Sequence, residues 1–404
     1  MKILLCMPPT AILLGKQWHT FHLGLGYLAG ALKSEGHEVA IFDPNVLPKE
    51  FFTASQRHGD QISEIGLNDE DYSHYVWPGY VYALRKFSPD VIGVSFKVIE
   101  IKLALMICRL SKRIFPEIKT VLGGAGVIEM ESTLLQSPEI DFVVRGEGEL
   151  SLCELLESLK TGLGKLSRID GLTYKIGDKV FKNKARKLIS NLDLKPFPSR
   201  KALMFQEYIP PNILAEMMGD IVTTRGCPHN CSYCANQAVW GERVVRSRNP
   251  KNVVDEMIHV REDYGVKRII FWDDQLVSNP RRVLELCGEI NLRKVQIPWV
   301  AFAHARSIRK DVLVAMKEAG CVEIQIGVES GSDRILRLCQ KGVSFSEILK
   351  AANLVKEVGL RLHCFYMIGF PSETKEEMIR TLDSLWVIDP NSAPIQLIGV
   401  WGFW

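Results

Sequence analysis

Residues 219–241 read GDIVTTRGCPHNCSYCANQAVWG and contain three cysteines within eight residues. The array has the form C-x3-C-x2-C and consists of Cys227, Cys231 and Cys234. It follows the short apolar run 221–224, and its thiols converge on one small object only if the backbone forms a tight loop. Gly226 and Pro228 favour such a loop because glycine relaxes φ and proline fixes it. Cysteine thiolates are the usual protein ligands of iron–sulfur clusters, so the stretch predicts a cluster site.

Two other uses of these cysteines stay open at this point. Structural zinc normally takes four protein ligands, so a zinc site needs His229 or a distant cysteine as its fourth ligand. A disulfide with one spare thiol is favoured less, because nothing else in the chain is typical of an exported protein. Most of the other cysteines lie in apolar runs, where a buried thiol behaves as a small hydrophobic residue. The seven cysteines outside the array are Cys6, Cys108, Cys153, Cys287, Cys321, Cys339 and Cys364.

The composition argues against several classes of partner. The chain has 50 basic and 47 acidic residues, a net charge of +3, and no basic stripe, so neither a polyanion nor a nucleic acid is predicted as partner. No run of 18 apolar residues is present, so no membrane span is predicted. The apolar N-terminal segment is interrupted by Pro8 and Pro9, which favours a strand over a signal peptide. Together with the cysteine pattern, this predicts a cytoplasmic protein.

Residues 1–155 alternate apolar runs with helical patterns, which predicts a Rossmann-like, doubly wound α/β domain. The predicted strands are 2–7, 37–43, 90–95, 119–122 and 142–144. An aromatic stretch lies between the second and third strands and either lines a ligand entrance or packs as an amphipathic helix, with the helix favoured. Its members are Tyr72, Tyr75, Trp77, Tyr80 and Tyr82.

Two glycine-rich turns follow neighbouring strands of this domain. The first contains Gly123 and Gly124, and the second contains Gly146, Glu147 and Gly148. Neither reads G-x-G-x-x-G ahead of a helix, so a nicotinamide site is not predicted. Because glycine has no side chain, glycine turns at two adjacent strand ends would let a ligand pack closely against the backbone.

These turns, with the early MPP and the strand that ends in Ser95, resemble the cobalamin-binding domain that precedes many radical S-adenosylmethionine (SAM) barrels. The resemblance implies that Ser95 and the residues of the two turns bind cobalamin. The D-x-H-x-x-G motif that supplies a lower-axial histidine elsewhere is absent. The resemblance therefore implies a cobalt without that ligand.

Residues 156–215 are predicted to be a connector that contains a β-hairpin at 171–183. From 216 to 404 the alternation resumes, which suits a partial (βα)6 barrel with its site at the carboxyl ends of the strands. The predicted strands are 220–224, 268–272, 298–303, 322–328, 362–368 and 395–400. The predicted helices are 250–264, 280–293, 308–319, 345–358 and 373–387. The tail 401–404 differs from the family's usual continuation, so the barrel is expected to be cut short there.

The array, with aromatic Tyr233 before its last cysteine, resembles the radical SAM signature C-x3-C-x-aromatic-C. The resemblance implies a 4Fe–4S cluster whose open iron chelates the amino and carboxylate groups of SAM, and it places Tyr233 among the SAM-binding residues. It also implies a reduced flavodoxin or ferredoxin as electron donor. The electron cleaves SAM to a 5′-deoxyadenosyl radical, which takes a hydrogen atom from the substrate.

Further strand ends carry residues that match SAM-binding motifs of the same family. The residues are Asp273 and Asp274 after the second strand, Glu329 and Ser330 after the fourth, and Gly369 and Pro371 after the fifth. Helix capping is the alternative role, by one of the two aspartates for one helix and by Ser372 for another. His304 and Arg306, after the third strand, are weaker candidates for the SAM carboxylate.

The resemblance spans nearly the whole chain and implies a cobalamin-dependent radical SAM enzyme. Transfer of a methyl group to an unactivated carbon of a small molecule is the favoured reaction. A radical cyclase or rearrangement enzyme, such as the anaerobic oxidative cyclase of chlorophyll synthesis, is the alternative. From another class, a non-catalytic cobalamin or redox sensor, or an inactive fragment, stays open. No residue identifies the substrate.

Overall fold

Five short apolar segments form the parallel part of a seven-stranded sheet. The structure is a computed structural model that describes residues 1–55, 72–162 and 166–397. The strands of this sheet are β1 Lys2–Cys6, β2 Glu38–Phe42, β3 Val91–Ser95, β4 Lys119–Gly123, β5 Phe142–Val144, β6 Leu172–Ile176 and β7 Lys179–Lys182. Their order is β2-β1-β3-β4-β5-β6-β7. Strands β1 to β5 are almost wholly buried, as expected of parallel strands with helices on both faces.

The predicted hairpin forms as β6 and β7, and it also extends this sheet. Strand β6 pairs antiparallel with β5, and β7 pairs antiparallel with β6. The sheet is therefore mixed at one edge, where the sequence predicted only parallel strands. The pairing escaped prediction because the hairpin pattern fixes how its two strands pair with each other, not which edge they join.

The longer helices around this sheet bury much of their surface. The helices of this part of the chain are α1 Thr10–Leu13, α2 Leu23–Ser34, α3 Lys49–Ser55, α4 Val76–Phe87, α5 Ile101–Ile114, α6 Glu131–Leu134, α7 Gly148–Thr161 and α8 Pro211–Met217. The aromatic stretch belongs mainly to α4, where Trp77 and Tyr80 are buried. The Tyr80 hydroxyl donates a hydrogen bond to the carbonyl of Met7. The favoured interpretation of a packed helix is therefore confirmed.

The described residues belong to two compact units. The first comprises Met1–Ile189 and Leu194–Met217, and the second comprises Ser190–Asp193 and Met218–Trp404. Most of the segment 156–215, which the sequence predicted as a connector, thus lies in the first unit.

The second unit contains six parallel strands that pair in chain order, with one small ribbon beside them. Its strands are β8 Asp220–Ile221, β9 Thr224–Arg225, β10 Arg246–Ser247, β11 Ile269–Phe271, β12 Trp299–Ala303, β13 Cys321–Glu329, β14 Arg361–Ile368 and β15 Ile395–Leu397. The sheet order is β15-β14-β13-β12-β11-β8, and β9 pairs antiparallel with β10. This is the half-barrel that the sequence predicted.

Two predicted strands differ in detail. The segment 220–224 was predicted as one strand, but its chain pairs with β11 only as β8 and then turns to pair with β10 as β9. The predicted strand 395–400 is described only as far as Leu397. Residues 398–400 of that prediction and the tail 401–404 lie outside the described residues.

Several helices of the second unit begin where a side chain caps the first turn. The helices of this unit are α9 Asn236–Trp240, α10 Pro250–Tyr264, α11 Pro280–Leu292, α12 Lys310–Glu318, α13 Asp333–Leu338, α14 Phe345–Glu357 and α15 Lys375–Ile388. Asn249 caps α10, with a proline at the first helical position. Ser344 and Thr374 open α14 and α15 with capping boxes. Because the six strands of the sheet are parallel, their carboxyl ends lie at the same edge, and the helices follow from there.

Candidate functional site

The three cysteines of the array lie on the Cys loop, defined here as residues 226–235 between β9 and α9. Cys227 and Cys231 are half-buried and Cys234 is exposed, whereas six of the other seven cysteines are buried. The structure thus gives the array the exposure that an external ligand requires, and gives most other thiols the packing role that the sequence predicted.

Close backbone packing fixes where the Cys loop begins. Gly226 has φ of +98°, and a Cβ atom there would overlap the carbonyl oxygen of Val244. Only glycine combines this conformation with this approach. The first cysteine therefore leaves the β9–β10 ribbon in a fixed direction.

Partial burial favours the protonated form of two of the three loop thiols. Burial raises the pKa of both Cys227 and Cys231, and Asp274 raises that of Cys227 further. Thiolates are the form that binds metals, so loading would release protons. Within the described ranges, no three His, Cys, Asp or Glu side chains are arranged to hold a single metal ion. A four-iron cluster differs from an ion in that each thiolate binds its own iron.

The Cys loop rests on the turn that follows α13. The Ser232 backbone N–H donates to the carbonyl oxygen of Cys339 at 2.9 Å. The Tyr233 ring packs edge-on against Phe370, with centroids 5.9 Å apart, on an apolar cluster that includes Ile335 and Cys339. The Cys339 thiol is buried in that cluster and donates to the carbonyl of Leu336 at 3.5 Å. The Cys loop is therefore held in place by one backbone hydrogen bond and by the packing of Tyr233 on this apolar cluster.

A buried ion pair lies beside the Cys loop. The Lys341 ammonium donates to Glu329 Oε1 at 2.8 Å and to the Tyr233 hydroxyl at 3.2 Å. Both charged side chains are less than a tenth exposed. Burial is the largest single cause and lowers the pKa of Lys341, but the adjacent Glu329 carboxylate, together with Cys231 and Cys339, outweighs it and raises the pKa above its ordinary value. Lys341 thus stays charged and links the end of β13 to the Cys loop.

Glu329 is held in an unusual backbone conformation. Its φ is +65°, in the left-handed region that residues other than glycine seldom adopt. The register between β13 and β14 also shifts at this point. Strained residues cluster at functional sites, so the geometry agrees with the choice of Glu329 from the sequence.

Asp273 and Asp274 bond to the backbone that leads into the Cys loop. Asp273 Oδ1 accepts from the Thr223 N–H at 2.8 Å and from the Thr224 hydroxyl at 2.7 Å. Asp274 Oδ2 accepts from the Gly226 N–H at 3.2 Å. The alternative role of these aspartates as helix caps is wrong, because Asn279 caps α11.

Ser330 is committed to contacts within the protein. Its hydroxyl is buried and lies 3.1 Å from the Thr381 hydroxyl of α15. The neighbouring Ser332 hydroxyl donates to Glu377 at 2.8 Å. Thr381 and Glu377 were missed as supports of this turn. The capping box that contains Glu377 was the available sequence signal.

The turn after β14 is closed by Glu373. Its Oε2 accepts from the N–H groups of Gly369 and Phe370, at 2.6 and 3.0 Å. Its Oε1 is buried and has no partner among the described residues. Ser372 does not cap α15, as the sequence allowed, because Thr374 does. Pro371 lies within this turn, at the same sheet edge as Glu329.

His304 stacks on the Cys loop. Its ring lies 3.7 Å from that of His229, nearly parallel. His304 Nε2 lies 3.0 Å from the carbonyl oxygen of Lys341, and Nδ1 accepts from the Arg306 N–H. Burial, followed by the charge of Lys341, lowers the pKa of His304 to about 3, so the ring is neutral. The structure therefore places His304 between the loop and Lys341, with both ring nitrogens engaged.

In the first unit, the turns after β3 and β4 touch each other. Gly124 has φ of +87°, and a Cβ there would lie 2.7 Å from Ser95 Oγ and 2.9 Å from the Phe96 carbonyl oxygen. The Phe96 N–H donates to the Gly123 carbonyl at 3.2 Å. Ser95, Gly123 and Gly124 are thus brought together, as predicted from their places at neighbouring strand ends.

The turn after β5 is more open. Gly146 has φ of +71°, with no atom within 4 Å of where a Cβ would lie. Glu147 is buried, and its Oε2 accepts from the Ile189 N–H at 2.7 Å. Gly148 begins α7, and a Cβ there would lie 3.1 Å from the Leu28 side chain. Of the three, Glu147 has an internal structural partner.

Two family profiles match the chain, one for each half. The B12 binding domain matches residues 12–156, and the Radical SAM superfamily matches residues 221–385. The chain therefore belongs to the radical SAM superfamily, within the group that carries a preceding B12-binding domain. Both cofactor-binding domains predicted from the sequence are present.

Individual relatives place the chain among enzymes. An uncharacterized methyltransferase, PH0819, of Pyrococcus horikoshii is 32% identical over 385 residues, which cover 95% of this chain and 77% of that protein. The anaerobic magnesium-protoporphyrin IX monomethyl ester cyclase of Cereibacter sphaeroides is 27% identical over 331 residues, covering 79% of this chain and 53% of the cyclase. The chain is thus an enzyme that resembles cobalamin-dependent radical SAM methyltransferases, and a purely sensory role is not supported.

A solved structure has the same fold. TsrM of Kitasatospora setae, a radical S-adenosylmethionine methyltransferase solved with cobalamin and a [4Fe-4S] cluster bound, superposes with a TM-score of 0.73 at 18% identity. The match covers 98% of this chain and 72% of that one, and it confirms the predicted fold class. Among the described residues, none of the helices has the length and apolar character needed to cross a bilayer.

Proposed function

We propose that this enzyme holds a 4Fe–4S cluster on Cys227, Cys231 and Cys234, cleaves SAM to a 5′-deoxyadenosyl radical, and transfers a methyl group to an unactivated carbon of a small molecule. Cobalamin in the first unit would carry the methyl group, which a second SAM would supply to it, and a reduced flavodoxin or ferredoxin would supply the electron. The domain matches and the methyltransferase relatives support this reaction over cyclisation, which the likeness to the cyclase keeps as the second candidate.

One observation carries the proposal: a single side chain joins the Cys loop to the predicted SAM ribose carboxylate. Lys341 bonds Tyr233 of the loop and Glu329 at the end of β13. The Cys loop and the carboxylate predicted to bind the SAM ribose are therefore adjacent within the second unit, as the proposal requires. Three partly accessible thiols on one fixed loop suit three irons of a cubane.

The chain's own residues would position the reactants. The Glu329 carboxylate would accept hydroxyl groups of the ribose, as the Glu-Ser-Gly-Ser resemblance implies, with Lys341 fixing its orientation. The turn of Gly369 and Pro371, braced by Glu373, would contact the adenine side. Tyr233 and Phe370 would form an apolar support beneath the loop and limit the access of water there. The assignment of Asp273 and Asp274 to SAM stays a prediction.

In the first unit, the glycine turns would let cobalamin approach the backbone. Ser95, Gly123 and Gly124 form one contiguous surface at the ends of β3 and β4, and Gly146 to Gly148 form the next turn along the sheet. At Gly123 and Gly146 a Cβ would meet no atom closer than 3.6 Å, so larger side chains there would occupy space that a bulky, flat ligand needs.

The test is 5′-deoxyadenosine formation by the anaerobically reconstituted chain. Wild type should bind about four irons and form 5′-deoxyadenosine from SAM when dithionite is supplied. Cys231→Ala should lose both, whereas Cys364→Ala, at a buried thiol of β14, should lose neither. Glu329→Gln keeps an acceptor for Lys341 and should retain iron but bind SAM more weakly. Stoichiometric zinc without iron in wild type would refute the proposal.

A further inference from the structure

One carboxylate oxygen bonds groups on both sides of the cysteine array. Asp274 Oδ2 accepts from the Gly226 N–H, directly before Cys227, and from the Trp240 indole N–H, each at 3.2 Å. Trp240 ends α9, the helix that follows Cys234. The backbone just before the array and the helix just after it are therefore bonded to the same carboxylate oxygen.

Neighbouring contacts reinforce this arrangement. The Trp240 indole N–H also donates to Asn236 Oδ1 at 2.6 Å, which fixes the ring against the first turn of α9. The Arg246 guanidinium lies over the same ring, 5.3 Å from its centroid. Asp273, the preceding residue, bonds to Thr223 and Thr224 just upstream of the loop. The two aspartates thus bond to the chain between Thr223 and Gly226. Asp274 in addition bonds Trp240, on the other side of the array.

We propose that Asp274 is a positioning residue for the cluster: its carboxylate ties the start of the Cys loop to the last residue of α9, the helix that follows the loop, and its negative charge beside Cys227 lowers the cluster's reduction potential. The inference rests on the proposed function, since it assumes a cluster on these cysteines. Net charge and hydrogen bonding around an iron–sulfur cluster are what set its potential. A carboxylate opposes the arrival of an electron nearby, so the oxidised cluster is favoured.

The charges beside the loop agree with this assignment. The Asp274 carboxylate accepts from the backbone N–H directly before Cys227, whereas the Lys341 ammonium donates to the hydroxyl of Tyr233, directly before Cys234. Groups of opposite charge thus lie next to the first and the last cysteine of the array.

Two substitutions separate the mechanical effect from the electrostatic one. Asp274→Asn keeps an oxygen acceptor of the same shape but removes the charge. Trp240→Phe keeps the charge but removes one of the two hydrogen bonds. Asp274→Ala removes both. Asp311→Asn is the control: it removes one negative charge at an exposed site on α12, where the carboxylate bonds Arg309.

The experiment uses the full chain, reconstituted anaerobically with iron and sulfide. Iron per chain and the rate of iron release to a chelator report the loop. A dithionite titration followed by electron paramagnetic resonance, in which one electron passes from dithionite to each cluster, reports the potential. Thermal unfolding confirms that each variant is folded.

We expect Asp274→Asn to keep its iron and show a less negative potential, and Trp240→Phe to release iron several-fold faster at an unchanged potential. Asp274→Ala should show both effects and Asp311→Asn neither. If both Asp274 variants match wild type in iron release and potential, the inference is wrong while the proposed function stands. If wild type itself binds no iron, the proposed function fails and this inference fails with it.

Discussion

The two units differ in the groups that lie at the ends of their strands. In the first unit, the turns after β3 and β4 bring backbone to backbone, with Gly124 against Ser95 and Phe96. In the second unit, the end of β13 carries a buried ion pair, Glu329 with Lys341, and the Cys loop beside it. Both sheets are of the α/β kind whose ligands bind at carboxyl ends of strands.

The difference teaches how each site would recognise its ligand. A turn without side chains selects by shape, because a flat ligand gains contact area wherever the backbone is bare. Fixed charges select by complementarity, and they hold their orientation only if each has a partner in the protein. The first site should therefore be broken by added volume, and the second by removal of a charge.

The largest expected effect tests the first half of this contrast. Gly124→Val places a branched side chain where even a Cβ would lie 2.7 Å from Ser95 Oγ and 2.9 Å from the Phe96 carbonyl oxygen. Hydroxocobalamin binding, measured by equilibrium dialysis, should fall by roughly 1,000-fold, about 4 kcal/mol. Iron loading in the second unit should not change.

Gly177→Val is the matched control for that change. Gly177 also has a positive φ, +57°, but it lies at the tip of the β6–β7 hairpin with no atom near its missing Cβ. Valine there strains the backbone without filling a strand-end turn. Equal loss of cobalamin in both variants would show that backbone strain, not the volume at the turn, governs binding.

Much of this architecture was predictable because local signals and tertiary structure agree. The helix predicted at 250–264 begins and ends as predicted, since Asn249 and Pro250 start it and Gly265 ends it. The strands of both sheets read as apolar runs because parallel strands are buried on both faces. The array, Glu329 and the glycine turns carry residue types that few other roles require.

What escaped prediction depends on contacts between distant residues. The segment 220–224 reads as one strand, but Asp273 draws the backbone at Thr223 and Thr224 out of the sheet. The bond from Lys341 to Tyr233 spans 108 residues of sequence. No local pattern encodes such pairs. The helix caps were missed for the same reason. Asn279 caps α11 instead of Asp273 or Asp274, and Thr374 caps α15 instead of Ser372.

The second prediction tests the charged site. Lys341→Met leaves the Glu329 carboxylate buried without its cation, a change that typically costs about 3–5 kcal/mol. Protection of the amides of β13 and β14 from hydrogen exchange should fall accordingly, because exchange reports the local free energy of opening. Amides of the first unit serve as the internal reference.

The double variant Lys341→Met with Glu329→Gln sharpens that result. Removing both charges leaves no uncompensated ion, so protection of β13 and β14 should recover in part. If the single variant changes protection by less than about 1 kcal/mol, as is usual for exposed ion pairs, the pair does not act as a buried one.

The smallest effect concerns two aspartates that occupy corresponding places in the two units. Asp43 follows β2 and Asp273 follows β11, and each is almost fully buried. Burial raises the pKa of each from 3.8 to about 6, although hydrogen bonds from Asn45 and Thr224 oppose the shift. A raised pKa means that the folded state holds its proton more tightly than the unfolded chain does. The stabilisation is therefore complete below about pH 4 and is lost as the pH rises through 6.

The size of this effect follows from the shift of about two pKa units, which corresponds to about 3 kcal/mol per group at most. Asp43→Asn should flatten the pH dependence between pH 4 and 7 for the amides of β1 and β2 only. Asp273→Asn should flatten the pH dependence for the amides of β8 and β11 only. Their protection should also be lower than in wild type, because the new amide hydrogens take the place of Oδ2, which has no partner among the described residues. Hydrogen exchange at several pH values, corrected for intrinsic rates, measures both. If each variant left its own strands with an unchanged slope, ionisation of these aspartates would not be coupled to folding, and the two units would differ only in their turns and ion pair.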